Sequence, residues 1–194
     1  MAQGELSRSE LPRHPSLDDR EDPAYRVVEY DPAWEGNATR EIERLSAGLV
    51  AVAVRVEHIG STAVPGMLAK PIIDLQLSVA SLDPLAAYRD PLEALGYAFI
   101  PDPHRPDYLF FARPLERPRS HHVHVCRAGG LEELRHLAVR DFLRSHPDEA
   151  ARYGELKRAV VERRPDDRIA YIEGKDKYVK DLQDRAVVWA GVDA

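Results

Sequence analysis

Between Trp34 and Leu49 the apolar residues fall at Trp34, Ala38, Ile42, Leu45 and Leu49, in steps of four and three. That spacing places one stripe along a helix. Asp31 stands where a capping side chain is wanted, and Pro32 suits the first turn because its missing N–H has no intrahelical partner there. The pattern then switches period. In "VAVRVEHI", Val52, Val54 and Val56 alternate with Arg55 and Glu57, which predicts a strand with one buried face. "PIIDLQLSV" alternates more strictly: Ile73, Leu75, Leu77 and Val79 share one face, and Asp74, Gln76 and Ser78 share the other. Leu85, Tyr88, Leu92 and Leu95 predict a short helix ending at Gly96. "YAFI", "DYLFFAR" and "SHHVHVC" read as three further strands, the first two separated by the turn-rich "PDPHRP". In the last of them Val123 and Val125 face one side, while His122, His124 and Cys126 face the other.

From Gly129 the period is helical to the end. One helix covers "GGLEELRHLAVRDFLRSHP", and a second runs from about Asp148 to Arg164 with Tyr153, Leu156 and Val160 in register. Beyond Pro165 a third offers Tyr171, Val179, Leu182, Ala186 and Trp189 for packing. Residues 1–22 are polar, carry two prolines and show no apolar period, so a disordered tail is expected there. Residues 23–194 are expected to form a single domain, with a sheet core over about 23–128 and a helical part over about 129–194. The fold class expected from this order is α+β, with helices packed on a mixed sheet.

Composition narrows the function classes. A chain of 194 residues can bury about 70% of its unfolded surface and needs no covalent staple. Its formal net charge of -6 makes a nucleic-acid polymer an unfavourable partner but leaves room for a local basic pocket. One cysteine, Cys126, excludes a disulfide within the chain and suits a reducing, cytoplasmic setting. No apolar run reaches the length of a membrane span, so a membrane is not an expected partner.

The candidate chemistry centres on "EHIGSTAVPGMLAKPIIDLQL", residues 57–77. A Gly-Ser turn leading into a helix presents backbone N–H groups to an anion, so Gly60, Ser61 and Thr62 are candidate phosphate ligands. An ATP-type loop is excluded: Gly66 is followed by Met67, and Lys70 precedes Pro71. Lys70 nevertheless stands just before the Asp74 strand, where it can reach a phosphate as a point charge. Asp74, His122 and His124 are candidate catalytic residues and metal ligands. The two histidines share a strand face, and an imidazole–carboxylate set suits zinc, manganese or iron. The same histidines can carry protons near neutral pH. His58 is a further donor next to the Gly-Ser turn, whereas His121 falls on the valine-bearing face and outside the site. Arg140 and Asp141 read as a structural ion pair, and Tyr171 and Lys175, one helical turn apart, can cover the pocket.

Strand, Gly-Ser turn, short helix and a strand carrying Asp is the layout of polymerase-beta-like nucleotidyltransferases. The wording of "EHIGSTAVPGMLAKPIIDLQL", with "YDPAW", "RSHHVHVC", "VRDFLRSHPDEAARYGELK" and "YIEGKDKYV", resembles the GrpB family of that superfamily from about Tyr30 to Val179. The resemblance implies a polymerase-beta-like nucleotidyltransferase fold and an ancestral nucleotide or phosphoryl site with a divalent metal (Mg, Mn or Zn). Active members of the superfamily carry two carboxylates two residues apart. Gln76 stands at the second position here, which puts two-metal chemistry in doubt. The expectation is a protein that binds a nucleotide or other small phosphorylated ligand and can transfer a nucleotidyl group. Some relatives are fused to dephospho-coenzyme A kinase, which implies the rival role of a non-enzymatic partner of a coenzyme A-pathway kinase. A metal-dependent hydrolase using the same cluster is the third alternative.

Overall fold

The computed structural model describes residues 26–101, 109–115, 118–165 and 167–191. The expected tail, residues 1–22, and most of "PDPHRP" lie outside the described residues. Helix α1 spans Ala33–Gly48. Asp31 Oδ1 accepts the Ala33 N–H at 2.9 Å, so the cap acts one position ahead of Pro32. Trp34, Ala38, Leu45 and Leu49 are buried, as the stripe predicts.

Five strands follow: β1 Ala53–Ile59, β2 Ile73–Val79, β3 Ala98–Phe99, β4 Leu109–Arg113 and β5 His121–Arg127. Their order in the sheet is β1-β2-β5-β4-β3. The central pair, β2 with β5, is parallel, and the other pairs are antiparallel. Helix α2, Ala86–Ala94, lies between β2 and β3 in sequence, and Gly96 follows it with φ 80°. Helices α3 (Leu131–Ser145), α4 (Pro147–Arg163) and α5 (Arg168–Trp189) form the C-terminal part. The fold class is the expected α+β arrangement with a mixed sheet.

The two sheet faces bury different things. Leu75, Leu77, Val123 and Val125 join Trp34 and Leu45 of α1 and Tyr88 and Leu92 of α2 in one apolar cluster. A second apolar cluster joins Val64 and Met67 to Phe142 of α3, Tyr153 of α4 and Leu182 of α5. Between that second cluster and the sheet lies the polar face of β2 and β5.

Two expectations change. Val54 is 58% exposed, because the pairing of β1 slips between Ala53, opposite Val79, and Arg55, opposite Ser78. A bulge inverts the alternation on one side of itself, and Ala53 joins Val52 and Val56 against the core instead. The helix after Gly60 is a single 3₁₀ turn, Ser61–Ala63, too short to carry a helix dipole. Trp189 packs as expected, its ring edge-on to Phe142 and His146 with centres 5.7 Å apart, while 46% of it stays exposed at the end of α5.

Candidate functional site

The parallel register sets the site. Asp74 lies opposite His122, and Gln76 opposite His124, so the polar phases of β2 and β5 coincide. Asp74 Oδ1 is 2.9 Å from His122 Nδ1 and 3.6 Å from His124 Nε2. One ligand atom from each of these three residues lies within 4.8 Å of the others. Burial opposes ionisation of Asp74, but hydrogen bonds from His122 and His124 outweigh it and hold its pKa well below the usual carboxylate range. Burial lowers the pKa of His122 to about 4 against the pull of Asp74, so this imidazole is neutral at physiological pH. An ionised carboxylate only accepts, so Nδ1 carries the proton and Nε2 the lone pair. That Nε2 is buried with no hydrogen-bond partner among the described residues. The carboxylate and the two imidazoles, with ligand atoms within 4.8 Å of one another, fit a divalent cation that would take the place of the Nδ1 proton.

Gly60 closes the other side of the carboxylate. Its φ is 70°, and a Cβ there would stand 2.7 Å from Asp74 Oδ2. Glycine is required twice over, by the backbone conformation and by the approach. The same turn places Ser61 Oγ 2.7 Å from Lys157 Nζ on α4, which also donates to Leu68 O at 2.6 Å. Gly154, one turn earlier on α4, lets the helix meet Leu68: a Cβ there would be 3.0 Å from Leu68 Cβ. Lys157 is only 2% exposed. Burial, then the nearby charges of Lys175 and Lys70, lower its pKa to about 7, with Asp74 opposing.

These groups line a cavity of about 380 Å³ between the sheet, the Gly60–Ser61 turn and helices α3 to α5. Its described lining includes Lys70, Arg119, Arg135, Lys157, Arg168 and Lys175, against a single carboxylate, Asp74. Tyr171 and Lys175 are among its lining, and Lys70 and Lys175 lie 5.4 and 5.6 Å from the Tyr171 ring centre. The structure thus brings together Gly60, Ser61, Lys70, Asp74, His122 and His124.

Two expected members are placed elsewhere. Thr62 is 2% exposed and does not line the cavity, since its hydroxyl donates to Ile72 O at 3.1 Å and meets His58 Nε2 at 3.0 Å. His58 pairs with Leu75, which puts it on the core-facing side of the sheet from Asp74. His121 stays outside the site, as expected, beside Arg113 and Ser120. Arg140 is the expected structural cation, bonding Asp141, Glu57 at 2.8 Å and the His58 carbonyl at 3.2 Å. Gln76 is fully buried; its amide donates to Ser78 Oγ at 3.3 Å, and its Oε1 lies 2.9 Å from His136 Nδ1. The position where the resemblance calls for a second carboxylate thus holds a partnered amide. Sequence reasoning missed Lys157, Arg119, Arg135, His136 and Arg168, all cavity-lining. The glycine one helical turn before Lys157 was the available signal.

Comparison with known proteins agrees with the resemblance. Residues 24–185 match the family described as GrpB protein. The chain is 41% identical over 171 residues to the UPF0157 protein PA4798 of Pseudomonas aeruginosa, covering 86% of this chain and 69% of that protein. It is 33% identical to a protein named dephospho-CoA kinase in Mycolicibacterium paratuberculosis, covering 85% of this chain and 46% of the kinase. It spans 47% of the UPF0157 protein YqkA of Bacillus subtilis, so it is about half the length of some relatives it matches. The crystal structure of the conserved protein GrpB from Enterococcus faecalis superposes with a TM-score of 0.77 at 34% identity, covering 85% of this chain and 99% of that one. The chain belongs to the GrpB family.

Proposed function

We propose that the cavity binds a nucleotide or another small phosphorylated ligand, with a divalent ion at Asp74, His122 and His124, and that it can support nucleotidyl transfer. The observation that carries this reading is the described lining, which sets Lys and Arg side chains, Lys157 and Lys175 among them, around the Gly60–Ser61 turn and the Asp74–His122–His124 set. Such a field favours a polyanion and disfavours a neutral ligand. Gly60 allows close backbone approach, and Ser61, Lys70 and Lys175 supply donors to phosphate oxygens. A divalent ion at the carboxylate–histidine set would add positive charge beside those oxygens. Two imidazoles and one carboxylate favour manganese or zinc over magnesium, which prefers oxygen ligands. A cytoplasmic setting is part of this reading.

Thermal unfolding with pyrophosphate, nucleoside triphosphates and unphosphorylated nucleosides tests it. At about 100 times its dissociation constant, a ligand of the native state adds about 2.7 kcal/mol of stability. Phosphorylated ligands should raise the midpoint, with manganese or zinc enlarging the shift and Lys175→Gln reducing it. Asp74→Asn should remove the metal-dependent part. Equal shifts with nucleosides, or no shift with any phosphate, would overturn the reading.

A second reading has its own observation. The chain matches slightly under half of proteins named dephospho-CoA kinase, which fits a non-enzymatic companion to a coenzyme A-pathway kinase. That role predicts changed kinase kinetics on adding this chain in trans, unaffected by Asp74→Asn.

A further inference from the structure

We propose that Ser61 and Lys157 form a nucleophile–base pair, in which Ser61 Oγ attacks phosphorus of a phosphoanhydride in the cavity and Lys157 Nζ takes the hydroxyl proton. The proposal rests on the phosphate reading above, but it uses neither the metal nor the Asp74–histidine cluster. Nζ and Oγ are 2.7 Å apart, within proton-transfer reach. The second Nζ contact, Leu68 O at 2.6 Å, is a carbonyl and can only accept. It therefore fixes one N–H and leaves the lone pair of a neutral amine available to the serine hydroxyl.

The surroundings favour that neutral amine. No carboxylate of the described residues lies within ion-pair distance of Nζ, and an ammonium buried without a counter-ion is costly. Every element packed on it contributes. Lys175 of α5 and Lys70 before β2 repel the charge, while Asp74 of β2 attracts it. The Tyr153 ring of α4, 4.6 Å away, favours the cation. The balance is a pKa of about 7, so a large share of the amine is unprotonated at neutral pH. Ser61 lines the cavity directly after a glycine with φ 70°, on a sharp turn with its hydroxyl toward the base.

The step balances without a redox partner. The Oγ–P bond forms and the P–O bond to the leaving group breaks. The serine proton passes to Nζ and then to the leaving oxygen. Water reverses the sequence: it gives a proton to Nζ, attacks phosphorus, and Oγ leaves with that proton. A structural role predicts something different, in which Lys157 merely ties the turn to α4.

Diisopropyl fluorophosphate, followed by peptide mapping, distinguishes them, since its phosphorus accepts Oγ and releases fluoride. The expected result is one adduct, on Ser61. Its rate should rise with pH and level off above a midpoint near 7. Lys157→Met should slow it about 100-fold, and Lys175→Gln, by removing a repelling charge, should move the midpoint upward. Should Lys157→Met fail to fold, the wild-type profile and the Lys175→Gln shift decide. An adduct on Lys157, none on Ser61, or a rate that climbs with hydroxide without levelling would overturn the pair. Pyrophosphate should slow labelling. If Ser61 labels with the expected profile and pyrophosphate has no effect, the pair stands and the phosphate reading falls.

Discussion

The two faces of β2 and β5 come from alternate residues of the same two stretches of chain, and they have opposite characters. One face sends Leu75, Leu77, Val123 and Val125 into a dry contact with α1 and α2. The other sends Asp74, Gln76, His122 and His124 toward α3, α4 and α5, where each polar group finds a partner or lines the cavity. On the first face energy comes mainly from area removed from water, and the titration of His58 is its pH-dependent part. On the second it comes from compensated desolvation, which is pH-dependent and offers little net gain in the empty protein. The comparison implies that stability and ligand chemistry are separable by face.

The largest expected effect is on the apolar face. Leu75→Ala, at a site with no exposure, should cost about 2–5 kcal/mol in urea unfolding while leaving the ligands tolerated by the surviving folded fraction unchanged. If ligand preference changed with it, the faces would not be independent. Gly60→Ala should cost about 1–3 kcal/mol, since it combines a positive φ with a clash against Asp74 Oδ2. It should also weaken metal binding, because the carboxylate must turn away. A stability loss with metal affinity intact would show that Asp74 does not depend on the turn.

The pH dependence cuts across the contrast, since His58 lies on the core-facing side and His122 on the polar side. His58 and His122 have folded pKa values of about 4, lowered chiefly by burial, against an ordinary value of 6.5. As pH falls from 6.5 to 4 the unfolded chain takes up these protons first, so stability is lost on acidification through that window. Each group contributes up to about 1.4 kcal/mol per pH unit there. His122→Asn should flatten the slope of the unfolding free energy against pH. An unchanged slope would mean that His122 is not held neutral. The smallest effect is expected at Val54→Thr, within about 0.5 kcal/mol, because the bulge leaves that side chain in solvent. A cost of a core substitution would restore the unbulged register.

Much of this division is visible in the amino-acid order. Strict alternation over Ile73–Val79 and His121–Cys126 identifies both faces, and the Trp34–Leu49 stripe identifies what covers one of them. Val54 escaped because a bulge changes phase without changing composition. Thr62 and His58 escaped because a hydroxyl or imidazole next to a candidate site has the same sequence signature whether it points in or out. Lys157 escaped for a stronger reason. A lysine on a helix is ordinarily a solvated charge, and only the close approach of α4 to Leu68 turns this one inward. Buried Glu41, held by Arg44, Arg113 and Tyr97, is a similar case on the opposite side of the sheet.

The parallel pairing of β2 with β5 also fixes when the cluster can exist. Asp74 and His122 are 48 positions apart, and α2, β3 and β4 intervene. Closing a stretch of that size carries an entropic cost that grows with the logarithm of its length and precedes any gain from the contact. Local pieces such as α1 or the β1–β2 hairpin can form without it. The carboxylate–imidazole contact therefore belongs to the long-range contacts that slow folding. No fragment ending before β5 holds the pair. On the proposed metal reading, affinity would report on completed topology, and an ion bound there would favour the whole fold over any partly assembled form.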